Sequence, residues 1–366
     1  IGIGVVIGAF AYLIVNIPVI VEAGVMPRLV LPTFARMSSI MRDSVPRSLA
    51  LGVGSFTMLI LTALASRIAT GSVSVLTFAS NLEAVPLALI GASYAVAAFP
   101  ALSEASALEK RDEFTRILSS SARHIILWSF VALGLVAVLR AHIVRVILGT
   151  GAFDWDATRL TAALLVVLAV GLVAQGLVLL FSRALYAVRQ SWRPFFYQLI
   201  GGALTIFFAV AFLRMGHNDF SSSLALFLRV GDVQGTGILF LALAATLGQI
   251  FLALLSLIAL RSIVPGLARS LVRPSMDGAI AALAGGAAAY ITLMFEGGIA
   301  PLTTLVAVFT QGLVAGIVGL AASALALYLV ENEEFRIVTN ALEKLIHSPR
   351  GRSQALAPSA EEPIQP

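Results

Sequence analysis

The chain has 366 residues, of which 59% are hydrophobic and 12% charged, and its mean hydropathy is +0.98. Soluble domains carry about 25% charged residues, so this composition excludes a water-soluble enzyme, a nucleic-acid-binding domain and a disordered chain. The net charge of +5 therefore reads as membrane orientation rather than affinity for nucleic acid, and the fold class is an all-α polytopic membrane bundle.

A helix needs roughly 20 apolar residues to cross the hydrocarbon layer. Nine segments meet that requirement, at about 1–22, 47–66, 82–102, 124–147, 158–182, 194–214, 236–260, 276–296 and 302–330. The first begins on Ile1, not Met, and lacks both a basic leader and a small-residue cleavage site. It is predicted to be a transmembrane helix whose upstream protein is missing, not a signal peptide. Pro18 and Pro86 fall inside spans, where neighbouring helices can satisfy the carbonyls they free. Gly4-xxx-Gly8 and Gly312-xxx-Gly316, with Gly285 and Gly286, are spaced for close helix contact.

Nine crossings sort the loops onto two sides. One side holds Arg28, Arg36, Arg42, Arg47, Lys110, Arg111, Arg116, Arg123, Arg183, Arg189, Arg193, Arg261, Arg269, Arg273, Arg336, Lys344, Arg350 and Arg352, eighteen of the 24 basic residues. Basic residues collect in cytoplasmic loops, which predicts that this side and the C-terminus are cytoplasmic. Two connections on that side have amphipathic spacing, in 27–47 and 103–123. They are expected to lie in the headgroup plane, as levers or as passive surface helices. The tail after His347 is expected to be disordered.

The chain carries no P-loop, no Gly-x-Ser-x-Gly elbow and no zinc spacing, so no enzymatic role or cofactor is predicted. Four scattered histidines fit no metal site, and the absence of cysteine removes thiolate ligands and disulfides. Polar residues within spans are the functional candidates, because burying them in lipid is costly. Glu83, beside Ser80 and Asn81, is the clearest carboxylate inside a span. It suits a monovalent cation or proton, or alternatively a satisfied ion pair. Gln175, Gln198, Gln249 and Gln311 sit in separate spans, where interhelical hydrogen bonding is the plainer reading. Arg140 can snorkel outward, and Arg47 and Arg183 either hold a phosphate or anchor helix ends.

Several segments together form a pattern. Gly71-Ser-Val-Ser leads through Ala79-Ser80-Asn81-Leu82 to Pro86, Gly91 and Pro100-Ala-Leu-Ser. Gly149-Thr-Gly-Ala-Phe-Asp154 and Phe181-Ser-Arg-Ala-Leu-Tyr-Ala187, then Trp192-Arg-Pro194, follow in order. This ordered set resembles the MurJ/MviN family of lipid II flippases, within the multidrug/oligosaccharidyl-lipid/polysaccharide exporter superfamily. The resemblance implies a fourteen-span exporter fold that works by alternating access. By its count, residues 1–22 are the last helix of a missing N-terminal lobe and 23–46 a cytoplasmic amphipathic linker. Residues 47–260 form the C-terminal six-helix lobe, 261–330 two extra helices making a lipid groove, and 331–366 a cytoplasmic tail.

The implied cargo is a polyprenyl-pyrophosphate-linked glycan, moved in a bacterial cytoplasmic membrane among membrane lipids, with monovalent cation or proton coupling. The implied substrate-binding residues are Ser80, Asn81, Glu83 and Arg47. The family often reads Ala-Asp-Arg-Leu where this chain reads Ala79-Ser80-Asn81-Leu82, so Asn81 keeps hydrogen bonding but supplies no charge. The competing readings are an exporter of another lipid-linked polysaccharide, a drug/cation antiporter, and a truncated membrane scaffold that transports nothing.

Overall fold

The structure is a computed structural model that describes residues 2–22, 24, 34–149, 154–215, 219–297 and 304–347. Every regular element among them is helical. The chain divides into two compact units, Ile1–Val45 and Pro46–Pro366. The first contains helix α1 (Gly2–Glu22), an apolar helix with Pro18 inside it. It also contains the start of α2 (Phe34–Ala65), in which Pro46 is an interior residue.

The second unit continues through α3 (Ser72–Pro86), a π-helical turn (Leu87–Ala92) and α4 (Ser93–Ala107). Next come α5 (Arg111–Leu148), α6 (Trp155–Val170), α7 (Leu172–Ala187), α8 (Trp192–Met215) and α9 (Asp219–Phe227). The remainder is α10 (Ile238–Leu260), the short α11 (Leu267–Ser270), α12 (Val272–Gly297), α13 (Leu305–Leu329) and α14 (Glu333–His347). Among the described residues, eight helices are long and apolar enough to cross a bilayer. The bent pair α6–α7, with 46° between its halves, makes a ninth crossing if counted as one.

Two expected boundaries differ. The third span begins at Ser72 rather than near residue 82, because Gly71 takes φ 87° and turns the chain sharply out of α2; that left-handed conformation is open to glycine at little cost. The 103–123 connection is not a surface helix. Its first part completes α4 and its second opens α5, whose 38 residues extend about 57 Å at the usual rise. Part of the apolar stripe expected in the headgroup plane is buried in protein, while Leu108 stays exposed. Phe114 and Leu118 pack with Leu102, Ala105, Leu185, Val264 and Leu267 in one core cluster. In the other amphipathic segment, the described residues from Phe34 onward are simply the first turns of α2. The 27–33 part of that segment and the tail after His347 lie outside the described residues.

Four helices end on a charged residue with positive φ: Glu109, Arg189, Arg229 and Glu331. In each case the next N–H returns to a carbonyl five residues back, as from Lys110 to Ala105 at 2.9 Å and from Gln190 to Leu185 at 2.9 Å. This Schellman closure satisfies end carbonyls where a glycine would ordinarily stand.

The last two spans fold back on α5 through glycines. A Cβ on Gly285 would stand 2.7 Å from the Gly319 carbonyl, and one on Gly134 would stand 2.9 Å from the Ala282 Cα. Ser323 Oγ donates to the Ala281 carbonyl at 2.9 Å. Gln311 Nε2 donates to the Leu293 carbonyl at 3.4 Å, and its Oε1 lies 3.1 Å from His142 Nε2. The interhelical role predicted for Gln311 is therefore the one it has. An apolar groove lies between α5 and α13. It holds about 270 Å³ and is lined by Leu139, Ile143, Val146, Val308 and Phe309.

Two polar clasps close the ends. Arg159 forks onto Asp232, with Nη1–Oδ2 at 2.7 Å and Nη2–Oδ1 at 2.6 Å, and also donates to the Arg229 carbonyl. The Arg159 hydrogen bond holds the exposed Asp232 carboxyl below its ordinary range. At the other end, Asn332 Oδ1 caps α14 by accepting from Phe335 N at 2.9 Å, while its Nδ2 donates to the buried Asp277 at 2.8 Å. Arg123 reaches Glu334 at 3.3 Å beside them.

Candidate functional site

Helical periodicity turns one stripe of each surrounding helix, with polar and small residues set among apolar ones, toward a common interior. Along α2 the stripe is Arg47, Leu51, Gly54, Thr57, Met58 and Leu61; along α7 it is Gln175, Val178, Leu179, Ser182, Arg183 and Tyr186. Residues three and four apart share a helix face, so both stripes follow from spacing alone. From α8 come Pro194, Gln198, Gly201, Gly202 and Thr205, and from α10 Thr246, Gly248, Gln249 and Leu252.

These walls enclose two adjoining cavities that share Gly54, Gln175, Gln198 and Gln249. The wider one, about 800 Å³, contains Arg47, Arg183 and Tyr186. The inner one, about 160 Å³, contains Ser80, Glu83, Thr205 and Thr246.

Small residues create this interior. Gly202 faces Thr57 across α2 and α8, since a Cβ on it would come 2.6 Å from Thr57 Oγ1. Gly54 leaves room for Gln198, whose Nε2 would be 3.6 Å from a Cβ there. Pro86 and the π-helical turn carry α3 into α4, bringing Gly91 against Gly176 of α7; a Cβ on Gly91 would meet the Gly176 Cα at 2.8 Å. That contact sets α3 and α7 so that Glu83 accepts a hydrogen bond from Gln175. Glu83 is 7% exposed. Thr246 Oγ1 donates to the Val167 carbonyl at 2.9 Å, tying α10 to α6 beside the inner cavity.

The structure thus brings together three of the four predicted site residues. Ser80 and Glu83 line the inner cavity and Arg47 the wider one. Asn81 is exposed and does not line either cavity, because one residue along a helix rotates the side chain by about 100° onto a different face of α3. Arg183 and the convergence of three glutamines were missed as parts of one site. Their signal was present in the i, i+4 and i+7 spacing along α7, but only the packing of α2, α8 and α10 shows that separate spans face one another. Among the described residues, no group of His, Cys, Asp and Glu could hold a metal ion. Arg140 is half-buried in α5, away from these walls.

Known proteins resemble this chain in fold and in sequence. A solved structure titled "Lipid II flippase MurJ, inward closed conformation" superposes with a TM-score of 0.58 at 18% identity, covering 85% of this chain and 59% of that one. Among curated relatives, the probable lipid II flippase MurJ of Thermotoga maritima is 28% identical over 204 residues, covering 56% of this chain and 41% of the relative. The Bdellovibrio bacteriovorus protein of the same description is 25% identical, over 58% of this chain and 40% of its own length. The lipid II flippase MurJ of Burkholderia cenocepacia is 23% identical, over 52% and 38%. The chain therefore spans about two fifths of the length of these relatives. The family model described as "Lipid II flippase MurJ" matches residues 1–309, and with that match over most of its length the chain belongs to the MurJ family.

Proposed function

We propose that the chain acts in flipping a lipid-linked peptidoglycan precursor, lipid II or a close analogue, from the inner to the outer leaflet of a bacterial cytoplasmic membrane. The observation that carries this reading is an interior where Arg47, Arg183, Gln175, Gln198, Gln249, Ser80 and Glu83 stand among apolar walls of membrane-length helices, in a chain matched by the MurJ family model. Lipid offers no water to a sugar headgroup, so a lined polar passage is what such a cargo needs. Alternating access, with lobes rocking about a site near the midplane, is the mechanism that a buried site of this kind serves. The basic-residue asymmetry supports a cytoplasmic C-terminus.

Within that cycle Ser80 and Glu83 form the polar floor and Arg47 stands in the wider cavity. Asn81, exposed on α3, would meet the headgroup from outside this interior. Glu83 supports monovalent cation or proton coupling, since a buried carboxylate with one neutral partner binds a cation or proton readily. The apolar groove along α13 suits the polyprenyl tail. Complementation tests the reading. The gene that encodes this chain, expressed in a bacterium depleted of its own lipid II flippase, is expected to restore growth and outer-leaflet lipid II. Normal membrane expression without rescue would remove lipid II as the cargo.

A further inference from the structure

We propose that α14 is a surface helix that docks on the anionic phospholipid headgroups of the leaflet from which α13 emerges. The 25 residues of α13 rise about 38 Å, enough to cross the roughly 30 Å hydrocarbon layer. That span ends at Leu329 and α14 begins at Glu333. Such a connection reaches at most about 14 Å, so α14 starts at the level of the headgroups. Its first turn is fixed to the bundle. Glu331 takes φ 54°, and Asn332 N donates to the Leu327 carbonyl at 3.1 Å. Asn332 also joins the buried Asp277 of α12, and Arg123 of α5 pairs with Glu334. Phe335 packs against Leu127, Val131, Ala281 and Leu327.

A second apolar stripe faces away from those contacts. Ile337, Ala341 and Leu345 recur at intervals of four in the sequence, while Arg336, Asn340 and Glu343 fall on the opposite side of the helix. Ile337 stands about 200° round the helix from Phe335 and is 59% exposed. A helix divided in this way, beginning where a span leaves the membrane, buries its free apolar stripe at the boundary of headgroups and acyl chains. The charges select an anionic surface. Glu333 and Glu334 at the helix start face Arg123. From there to residue 352 the sequence carries Arg336, Lys344, Arg350 and Arg352 against Glu343 alone. Basic residues held within a Debye length of anionic headgroups are drawn to them. The helix lies outside both cavities, so the inference stands apart from the flippase reading.

Fluorescence of the full chain in vesicles tests it, with single cysteines carrying an environment-sensitive dye. The vesicles contain phosphatidylglycerol and phosphatidylethanolamine in both leaflets, so the direction of insertion has no effect. A label on Leu345→Cys is expected to be quenched by a headgroup-level nitroxide lipid about twofold more than one on Asn340→Cys, and to be sheltered from aqueous iodide. Replacing phosphatidylglycerol by phosphatidylcholine, or Arg336→Glu with Lys344→Glu, should cut that difference by about half. Equal quenching at the two positions, or a Leu345→Cys label open to iodide, overturns the proposal. A label sheltered from both quenchers also overturns it, since protein then covers the stripe. Lipid contact that is indifferent to phosphatidylglycerol removes the anionic surface and overturns it as well. If the double Glu variant fails to insert, Arg336→Gln with Lys344→Gln decides: a smaller loss is expected, and undiminished quenching overturns the role of charge.

Discussion

Glu83 and Gln175 show how a side chain's meaning depends on what faces it. Glu83→Gln keeps a hydrogen-bonding group opposite Gln175 and removes only the charge. If the carboxylate couples a cation or proton to movement, this variant should lose transport on the order of tenfold or more while retaining its helicity. Lipid II accessibility in the outer leaflet is the measurement, and wild-type activity would return Glu83 to a structural role. A second residue-scale prediction concerns the loop after α9. The Asp232 carboxyl is held low by the Arg159 hydrogen bond, so its contribution exists above the unfolded-state pKa and is lost as pH falls through the folded one. Asp232→Asn should therefore reproduce at neutral pH the faster proteolysis of the 228–237 loop that acid produces in the wild type, with helix content unchanged. At this scale the polar candidates were legible, because a Glu or Gln in an apolar span stands out. Which of them met was not, since Gln175, Gln198 and Gln249 lie on three helices whose mutual rotation no local pattern records.

Helix ends and crossings carry the element-scale argument. Glu109 closes α4 with φ 56°, and its charge stands at the negative end of the helix dipole. Glu109→Gly relieves both and should raise stability by about 1 kcal/mol, read as a higher melting midpoint in detergent. Close approach gives the opposite sign. Gly285→Ala drives a Cβ to 2.7 Å from a backbone oxygen of α13, whereas Gly316→Ala places one 3.4 Å from the flexible end of Leu139. The first should cost roughly 1–3 kcal/mol and the second little. The small-xxx-small spacing of Gly312 and Gly316 was legible in sequence as a packing signal. That Gly285 and Gly319 make the tighter crossing was not, because a contact between two helices needs their relative register. The long α5 shows the same limit. The spacing of Phe114 and Leu118 identified an amphipathic helix correctly, but an apolar stripe looks alike whether it faces lipid or a neighbouring helix.

For the whole molecule the order of crossings decides which cavity mouth meets which compartment. The absence of native cysteine makes single-cysteine labelling clean. Lys110 lies between α4 and α5, and Asp154 starts α6 by accepting a hydrogen bond from Ala157 N at 2.7 Å. One continuous helix of 38 residues, α5, separates them, and about 57 Å of helix exceeds the roughly 30 Å hydrocarbon layer. The two positions are then expected on opposite sides. The excess of basic residues on the Lys110 side predicts that this side is cytoplasmic. Lys110→Cys should react with a membrane-impermeant maleimide only after the cells are opened, and Ser66→Cys, in the turn after α2, should react in intact cells. Asp154→Cys is less suited because it removes the helix cap, so Trp155, 55% exposed, is the better site on that side. Labelling of Lys110→Cys and Trp155→Cys from the same side would break the crossing count on which the passage depends. Opposite sides with the polarity reversed would keep the bundle and turn the Arg47 end of the cavity to the outer face, so that the proposed direction of transport fails while the site itself stands.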